Sequence, residues 1–332
     1  MDPDYRRREQ RRRQSPGRRR AAPPPEPGVG RAGLTGALVA VLAAAALAGW
    51  VFRADLVRAA DRLSGPAAAD TPSTGSDTGA AGGVTRSGRS GRPGVGVAAQ
   101  PAAPLPAPAS VTVSVDGFMS WALLDRGGGS IVGSPDMAGE TNSTESMIKA
   151  WIAADYLRRQ GGTAPTKTRL GELSTMIRDS DDDEAEIIYQ LDGDDDVVQR
   201  MIKTCGLTDT TIFEGWWSRT RMSARDAVRM GLCIADGRAA GSRWTGWLLN
   251  EMRQVRGEGR FGIIDALPAD VAAKTAIKNG WTEIGDDDSW HVNCLAIMDR
   301  YVVAVLMRYP TRLGLDYGAG VCADVARQLK LA

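Results

Sequence analysis

Apolar residues alternate with polar ones at two widely separated places in this chain, and helical periodicity fills the interval between them. Val111, Val113 and Val115 alternate with polar neighbours, the pattern of a half-buried strand. Ser120–Asp125 reads as a second strand. Gly127-Gly128-Gly129 then makes a turn, and Ser130–Ser134 pairs back as a hairpin. Strand patterning returns only at residues 276–283, 290–298 and 301–308, before a closing helix at about 318–331. From Ser146 to about residue 255 the pattern is mostly helical, with loops at Gly161-Gly162, Asp192-Gly193 and Arg256–Gly259. Strands from both ends must therefore share one sheet, and the central helices form a second lobe. The expected fold class is α+β, with an antiparallel five-stranded sheet flanked by helices and an all-helical lobe. A cleft between the lobes is the natural place for a site.

The folded unit expected from this pattern spans residues 110–332 and is preceded by three segments of different character. Residues 1–31 carry ten arginines against four acids, and such a block repels itself and stays disordered. Residues 32–52 hold no charge and are about long enough to cross a bilayer as a helix. The arginines before them predict a cytoplasmic N-terminus and an extracytoplasmic C-terminal domain. The rival is a cleaved leader, since Ala46-Leu47-Ala48 resembles a cleavage site; the domain would then be secreted. Either reading exports residues 54 onward and favours a membrane, not a nucleic acid, as the partner of the basic arm. Residues 53–109 are rich in Ala, Gly, Pro, Ser and Thr and read as a low-complexity tether.

Residue usage excludes several chemistries. The chain has one histidine, His291, so a His-rich metal site is excluded and a Ser-His-Asp triad would have to use it. Asp192–Asp196 alternates carboxylates, but Val197 and Lys203 stand where a calcium loop needs glycine and glutamate. No metal or cofactor is expected. Cys205, Cys233, Cys294 and Cys322 show no CxxC spacing. They are either buried free thiols or, in an exported domain, disulfides, for which 205–233 with 294–322 is one of three connectivities.

Thr141–Ile152 reads as the start of a helix, with Asn142, Ser143 or Thr144 available as its cap. Ser146 and Lys149, three residues apart, would share one face of it. A desolvated lysine can lose its charge and take the serine proton, which turns a poor nucleophile into a competent one. Two later segments bear on that pair. Ser180-Asp181-Asp182 lies where one helix ends and another begins, and also fits an acidic helix cap. Lys278-Asn279-Gly280-Trp281 lies on the first returning strand, where it also fits an edge lysine beside a turn.

The order Ser-x-x-Lys, Ser-Asp-x, Lys-x-Gly, framed by a hairpin before and strands after, resembles the penicillin-recognising serine hydrolases. It is most similar to the class A β-lactamases, whose motifs are SxxK, SDN and KTG. Trp121–Gly129 looks like the opening strand and turn of that family, and Met222–Val228 like its helix after the omega loop. The resemblance implies Ser146 as acylated nucleophile, Lys149 as its base and Ser180 as proton shuttle. It implies Lys278, Asn279 and Gly280 as the strand that binds a substrate carboxylate. The backbone N–H groups of Ser146 and Trp281 would form the oxyanion hole.

The pattern departs from the family at three places. Asp182 replaces asparagine, and an ionised carboxylate can only accept where the amide donates. It can instead pair with Lys149 and hold it protonated, or select a substrate with an amine or hydroxyl at that point. Between the helical region and Met222, residues 211–222 offer Glu214 as their sole acid, too little for an omega loop carrying a general base. Slow deacylation is the expected consequence. Asn279 for threonine keeps a donor. The implied protein is a monomeric, membrane-tethered serine hydrolase acting on a β-lactam or a peptidoglycan stem peptide. Its rival is a catalytically weak module that keeps the fold to bind wall fragments or a protein partner.

Overall fold

The computed structural model describes residues 111–331. The expectations for residues 1–31, 32–52 and 53–109 lie outside the described residues. Among the described residues, no helix is long and apolar enough to cross a membrane.

Strand β1 (Phe118–Asp125) turns through Gly127–Gly129 into β2 (Ile131–Gly133). Gly129, at φ +71°, donates to the Asp125 carbonyl at 2.7 Å and closes the turn. A short ladder of β3 (Thr141–Ser143) with β4 (Arg221–Ser223) stands apart from the main sheet. After a tight 3-10 turn at Glu145–Ile148, α1 (Lys149–Arg159) runs through the core with Ala150–Ala154 and Leu157 buried. The helical lobe continues with α2 (Lys167–Arg178), α3 (Asp182–Leu191) and α4 (Asp196–Cys205). It ends with α5 (Ala224–Ala235), α6 (Ser242–Arg253) and the single turn α7 (Ala269–Ala272). The chain returns to the sheet as β5 (Ala276–Ile277), β6 (Gly280–Ile284), β7 (Ser289–Ile297) and β8 (Tyr301–Pro310), then closes with α8 (Gly314–Leu329).

The fold is α+β. The sheet order is β2-β1-β8-β7-β5, every pairing is antiparallel, and β6 also pairs with β7. The first returning strand, expected to be continuous, is interrupted at Lys278-Asn279, so five strand paths carry six ladder segments. The periodicity of β8 sorts the layers, because adjacent residues point to opposite faces. Val302 lies on the face that Gly231 of α5 approaches, and Tyr309 on the face met by Gly318 of α8. The sheet is thus sandwiched between these two helices.

Two expectations about local structure are corrected. Val111–Val115 joins no ladder; β1 already has β2 on one edge and β8 on the other. Thr112 N instead donates to the side-chain carbonyl of Gln328, at the end of α8, at 2.7 Å. Residues 141–144 do not cap a helix: Asn142 and Ser143 belong to β3, and the α-helix begins at Lys149. Asp181 does cap α3, accepting from Glu184 N at 2.9 Å, and Asp182–Glu184 place their charge at its positive end.

Disulfides join Cys205 to Cys233 and Cys294 to Cys322. The first ties the end of α4 to α5, and the second ties the sheet to α8.

Candidate active site

The turn bearing Ser146 is clamped from three sides. Thr144 N donates to Thr220 O at 2.8 Å, beside β4. Asn142 Nδ2 donates to Asn293 Oδ1 at 2.9 Å and to Met307 O at 3.0 Å, while Asn293 Nδ2 donates to Ser143 O at 2.8 Å. These buried amides fasten β3 to the sheet. Glu145, immediately before the serine, sits at φ +47°, and Ser180 sits at φ +60°. Each costs roughly 1–3 kcal/mol of backbone strain, which the surrounding contacts must hold in place. Ser146 itself is 6% exposed.

Lys149 is the first residue of α1 and is fully buried. Its amine donates to Ser180 O at 2.6 Å and to Asp182 Oδ1 at 2.5 Å. Burial lowers its pKa, against the pull of the Asp182 carboxylate. Lys278, also buried, lies in the break between β5 and β6 and donates to Ser180 Oγ at 2.8 Å. Burial pushes its pKa well below the usual amine range, and Lys149 adds to that effect. Gly280 brings β6 directly onto the serine turn. A Cβ there would lie 2.3 Å from Thr144 O, 2.7 Å from Met147 N and 2.9 Å from Ser146 N. Ser146, Lys149, Ser180, Asp182, Lys278 and Gly280 thus meet at one place, drawn from three separate stretches of chain, 146–149, 180–182 and 278–280.

Asn279 and Trp281 are placed differently. The Asn279 amide donates to Gly259 O at 3.0 Å and Phe261 O at 2.8 Å, and its carbonyl accepts from Leu295 N at 3.3 Å. Both of its hydrogens are engaged, so none remains for a substrate carboxylate. The side chain fastens the 257–261 turn to the sheet instead. Trp281 is half-buried, packed edge-to-face on Phe261 with centroids 5.7 Å apart, and Lys278 Nζ lies 5.9 Å from its ring.

The segment in the omega-loop position is pinched off by paired hydrogen bonds of 2.9 Å between Thr211 and Arg221. Glu214 is exposed in its outer turn. The side chain that reaches inward is Trp217, whose ring lies 5.2 Å from Lys149 Nζ and whose Nε1 donates to Glu186 Oε2 at 3.1 Å. An indole, not a carboxylate, therefore faces the lysine from this side. In the sequence, Trp216-Trp217 signals packing or a lip to the cleft but not which ring turns inward.

His291, read as a plain strand residue, has a larger place. Its Nδ1 is 2.6 Å from Ser143 Oγ and its Nε2 is 2.9 Å from Asp287 Oδ2. Ser143, the last residue of β3, is 1% exposed, so this arrangement cannot act as a hydrolytic triad on a substrate. Burial lowers the His291 pKa to about 4 despite Asp287. Below its unfolded value near 6.5 the unfolded chain binds the extra proton first, so stability falls as pH drops from about 6.5 to about 4. The expected loss is up to about 3 kcal/mol. Urea midpoints of the wild type and His291→Gln across this range check it: the variant should lose most of the slope, and parallel curves would refute the assignment.

These features define a β-lactamase-like fold. Solved structures with this architecture include a β-lactamase from Xanthomonas campestris, with TM-score 0.53, 16% identity, and coverage of 65% of this chain and 91% of that one. A β-lactamase from Chitinophaga pinensis gives TM-score 0.52 at 15% identity, covering 64% and 92%. An ancestral class A β-lactamase gives TM-score 0.53 at 15% identity, covering 65% and 94%. Among curated proteins, the chain is similar to "Putative lipoprotein LppW" of Mycobacterium tuberculosis and of Mycobacterium bovis, each 30% identical over 179 residues. That match covers 49% of this chain and 54% of the relative, so the chain spans about half the length of the curated relatives it matches. No protein-family model matches the chain.

Proposed function

We propose that the protein is a serine hydrolase that acylates Ser146 with a β-lactam or a D-amino-acid peptide amide and releases the acyl group slowly. The observation that carries this reading is the meeting of two buried amines and the Ser180 hydroxyl beside the Ser146 turn, with the backbone of Gly280 against it. In the proposed reaction Lys149, as the free amine, takes the Ser146 hydroxyl proton while Oγ attacks the carbonyl carbon. The Ser146 and Trp281 N–H groups face the oxyanion. The carbon–nitrogen bond then breaks, and Ser180 passes a proton from Lys149 to the departing nitrogen. Lys278 supplies positive charge for a substrate carboxylate whenever it is protonated. Slow release follows from the indole of Trp217 standing where a base for water is wanted.

A lipoprotein among its relatives and the uncharged stretch at residues 32–52 support placement at the outer face of a membrane. A second reading, a binding module for wall fragments, is favoured by the Asp182 carboxylate paired with the proposed base. Incubating the protein with a fluorescent penicillin separates the two. The hydrolase reading expects a stable adduct on Ser146 by mass spectrometry, abolished in Ser146→Ala. No adduct with several β-lactams, together with saturable binding that survives Ser146→Ala, would establish the binding module.

A further inference from the structure

A buried line of polar groups runs behind the Ser146 turn, and the acyl-transfer chemistry does not use it. Glu145, 1% exposed, has Ser143 Oγ at 2.6 Å from its Oε1. The same hydroxyl lies 2.6 Å from His291 Nδ1, and His291 Nε2 lies 2.9 Å from Asp287, whose side chain is 48% exposed. The line therefore begins at the residue before the proposed nucleophile and ends in solvent.

Its protons can be counted. Ser143 has one hydroxyl hydrogen and two contacts to satisfy. When that hydrogen goes to Nδ1, the contact with Glu145 needs a donor, so Glu145 is a neutral acid. His291 is then neutral, with Nε2–H donating to Asp287. When the hydrogen goes to Glu145 instead, the carboxylate is ionised and Nδ1 must donate to Ser143. Nε2 must still donate to Asp287, so His291 is an imidazolium. An ionised Glu145 with a neutral His291 either opposes lone pairs at the buried Ser143 hydroxyl or, in the Nδ1–H tautomer, turns a bare Nε2 toward the Asp287 carboxylate. One proton thus serves both residues, moving along the Ser143 hydroxyl.

We propose that Glu145 is held as a neutral carboxylic acid and shares one proton with His291 through Ser143. Burial raises the proton affinity of Glu145 and lowers that of His291, so both favour the neutral pair. Arg219 faces both ends of the line, Arg308 faces His291 from β8, and Arg221 stands near Asp287. On the cleft side Glu145 meets Asp182 and Lys149. A neutral Glu145 spares Lys149 an additional carboxylate that would keep it protonated; this consequence rests on the hydrolase reading, whereas the proton line does not.

His291 is the chain's sole histidine, so ¹⁵N-imidazole labelling of the full chain in detergent gives one set of signals. At pH 7 the wild type should show the Nε2–H tautomer. Glu145→Gln keeps a neutral donor toward Ser143, so His291 should titrate as in the wild type, and the wild-type-minus-variant infrared difference at pH 7 should show the C=O band of a protonated carboxyl. In Ser143→Ala, adding Glu145→Gln should leave that titration unchanged. An Nδ1–H tautomer in the wild type, a carboxylate band in place of the acid band, or a His291 titration lowered in Glu145→Gln overturns the proposal. The isosteric Glu145→Gln decides the matter even where Ser143→Ala fails to fold. A wild type that forms no penicillin adduct yet gives the expected His291 signals would defeat the hydrolase reading and leave the proton line standing.

Discussion

Replacing Asp182 with asparagine is expected to speed the acylation of Ser146 by a penicillin about a hundredfold at pH 7. The Asp182 carboxylate lies 2.5 Å from Lys149 Nζ and favours the ammonium, whereas the proposed base is the free amine. Burial already pulls the pKa of Lys149 down, and removing the carboxylate takes away the largest influence opposing that pull, leaving the smaller ones of Asp181 and Glu145. Each pKa unit multiplies the free amine about tenfold while the ammonium still predominates. The acid limb of the pH–rate profile follows the base, so it should move to lower pH. Asparagine also supplies an amide donor for a substrate carbonyl, and its oxygen can still accept from Lys149. Adduct formation followed from pH 5 to 9 checks this, and a rate that is unchanged or slower throughout would remove Lys149 from the role of base.

The second large effect is expected at Gly280. The atoms nearest to an added Cβ, Thr144 O, Met147 N and Ser146 N, all belong to backbone and cannot rotate away. Valine at this position has to push β6 off the serine turn. A displacement of about 1 Å is enough to cost about a hundredfold in rate, and overpacking of this kind destabilises by about 3 kcal/mol. Gly285, in the β6–β7 turn, would place an added Cβ with nothing within 4 Å of it and serves as the control. Gly280→Val should form adduct at least a hundredfold more slowly and unfold at lower urea, whereas Gly285→Ala should match the wild type. Normal adduct formation by Gly280→Val would mean that the close approach of strand and turn does not matter for the chemistry.

Both predictions act on residues whose chemical type is visible in the sequence; the pairing of Asp182 with Lys149 follows from the resemblance, whereas the backbone atoms that Gly280 meets are not visible there. Ser146-x-x-Lys149 stands out as a serine and a lysine three apart, and strand periodicity at the two ends of the domain implies one shared sheet. Those signals are local: a period of two or of 3.6, a glycine turn, an acidic cap. They are legible because backbone geometry imposes them within a few residues. The break at Lys278-Asn279 was not legible, since a lysine and an asparagine in a strand pattern do not interrupt the pattern. Nor was the true role of Asn279, which depends on the carbonyls of Gly259 and Phe261 arriving beside it.

Long-range polar pairing was the main thing hidden. Nothing in Asn142 or His291 taken singly marks them as more than a helix cap and a strand residue, and nothing marks Glu145 at all. They matter because positions about 150 apart in sequence are brought within hydrogen-bond distance, as in the 2.9 Å contact of Asn142 with Asn293. The same holds for Trp217, which is one of two adjacent tryptophans until the short loop turns its ring toward Lys149.

By itself, then, the sequence determined the α+β class, the helical lobe set between the two halves of the sheet, and the inventory of hydroxyls and amines available for chemistry. Which cysteines pair, how Asn279 is used and which serine faces His291 were decided only by tertiary structure. The reason is physical: periodicity is a property of neighbouring peptide units, whereas the charge state of a buried group depends on every group the fold packs around it.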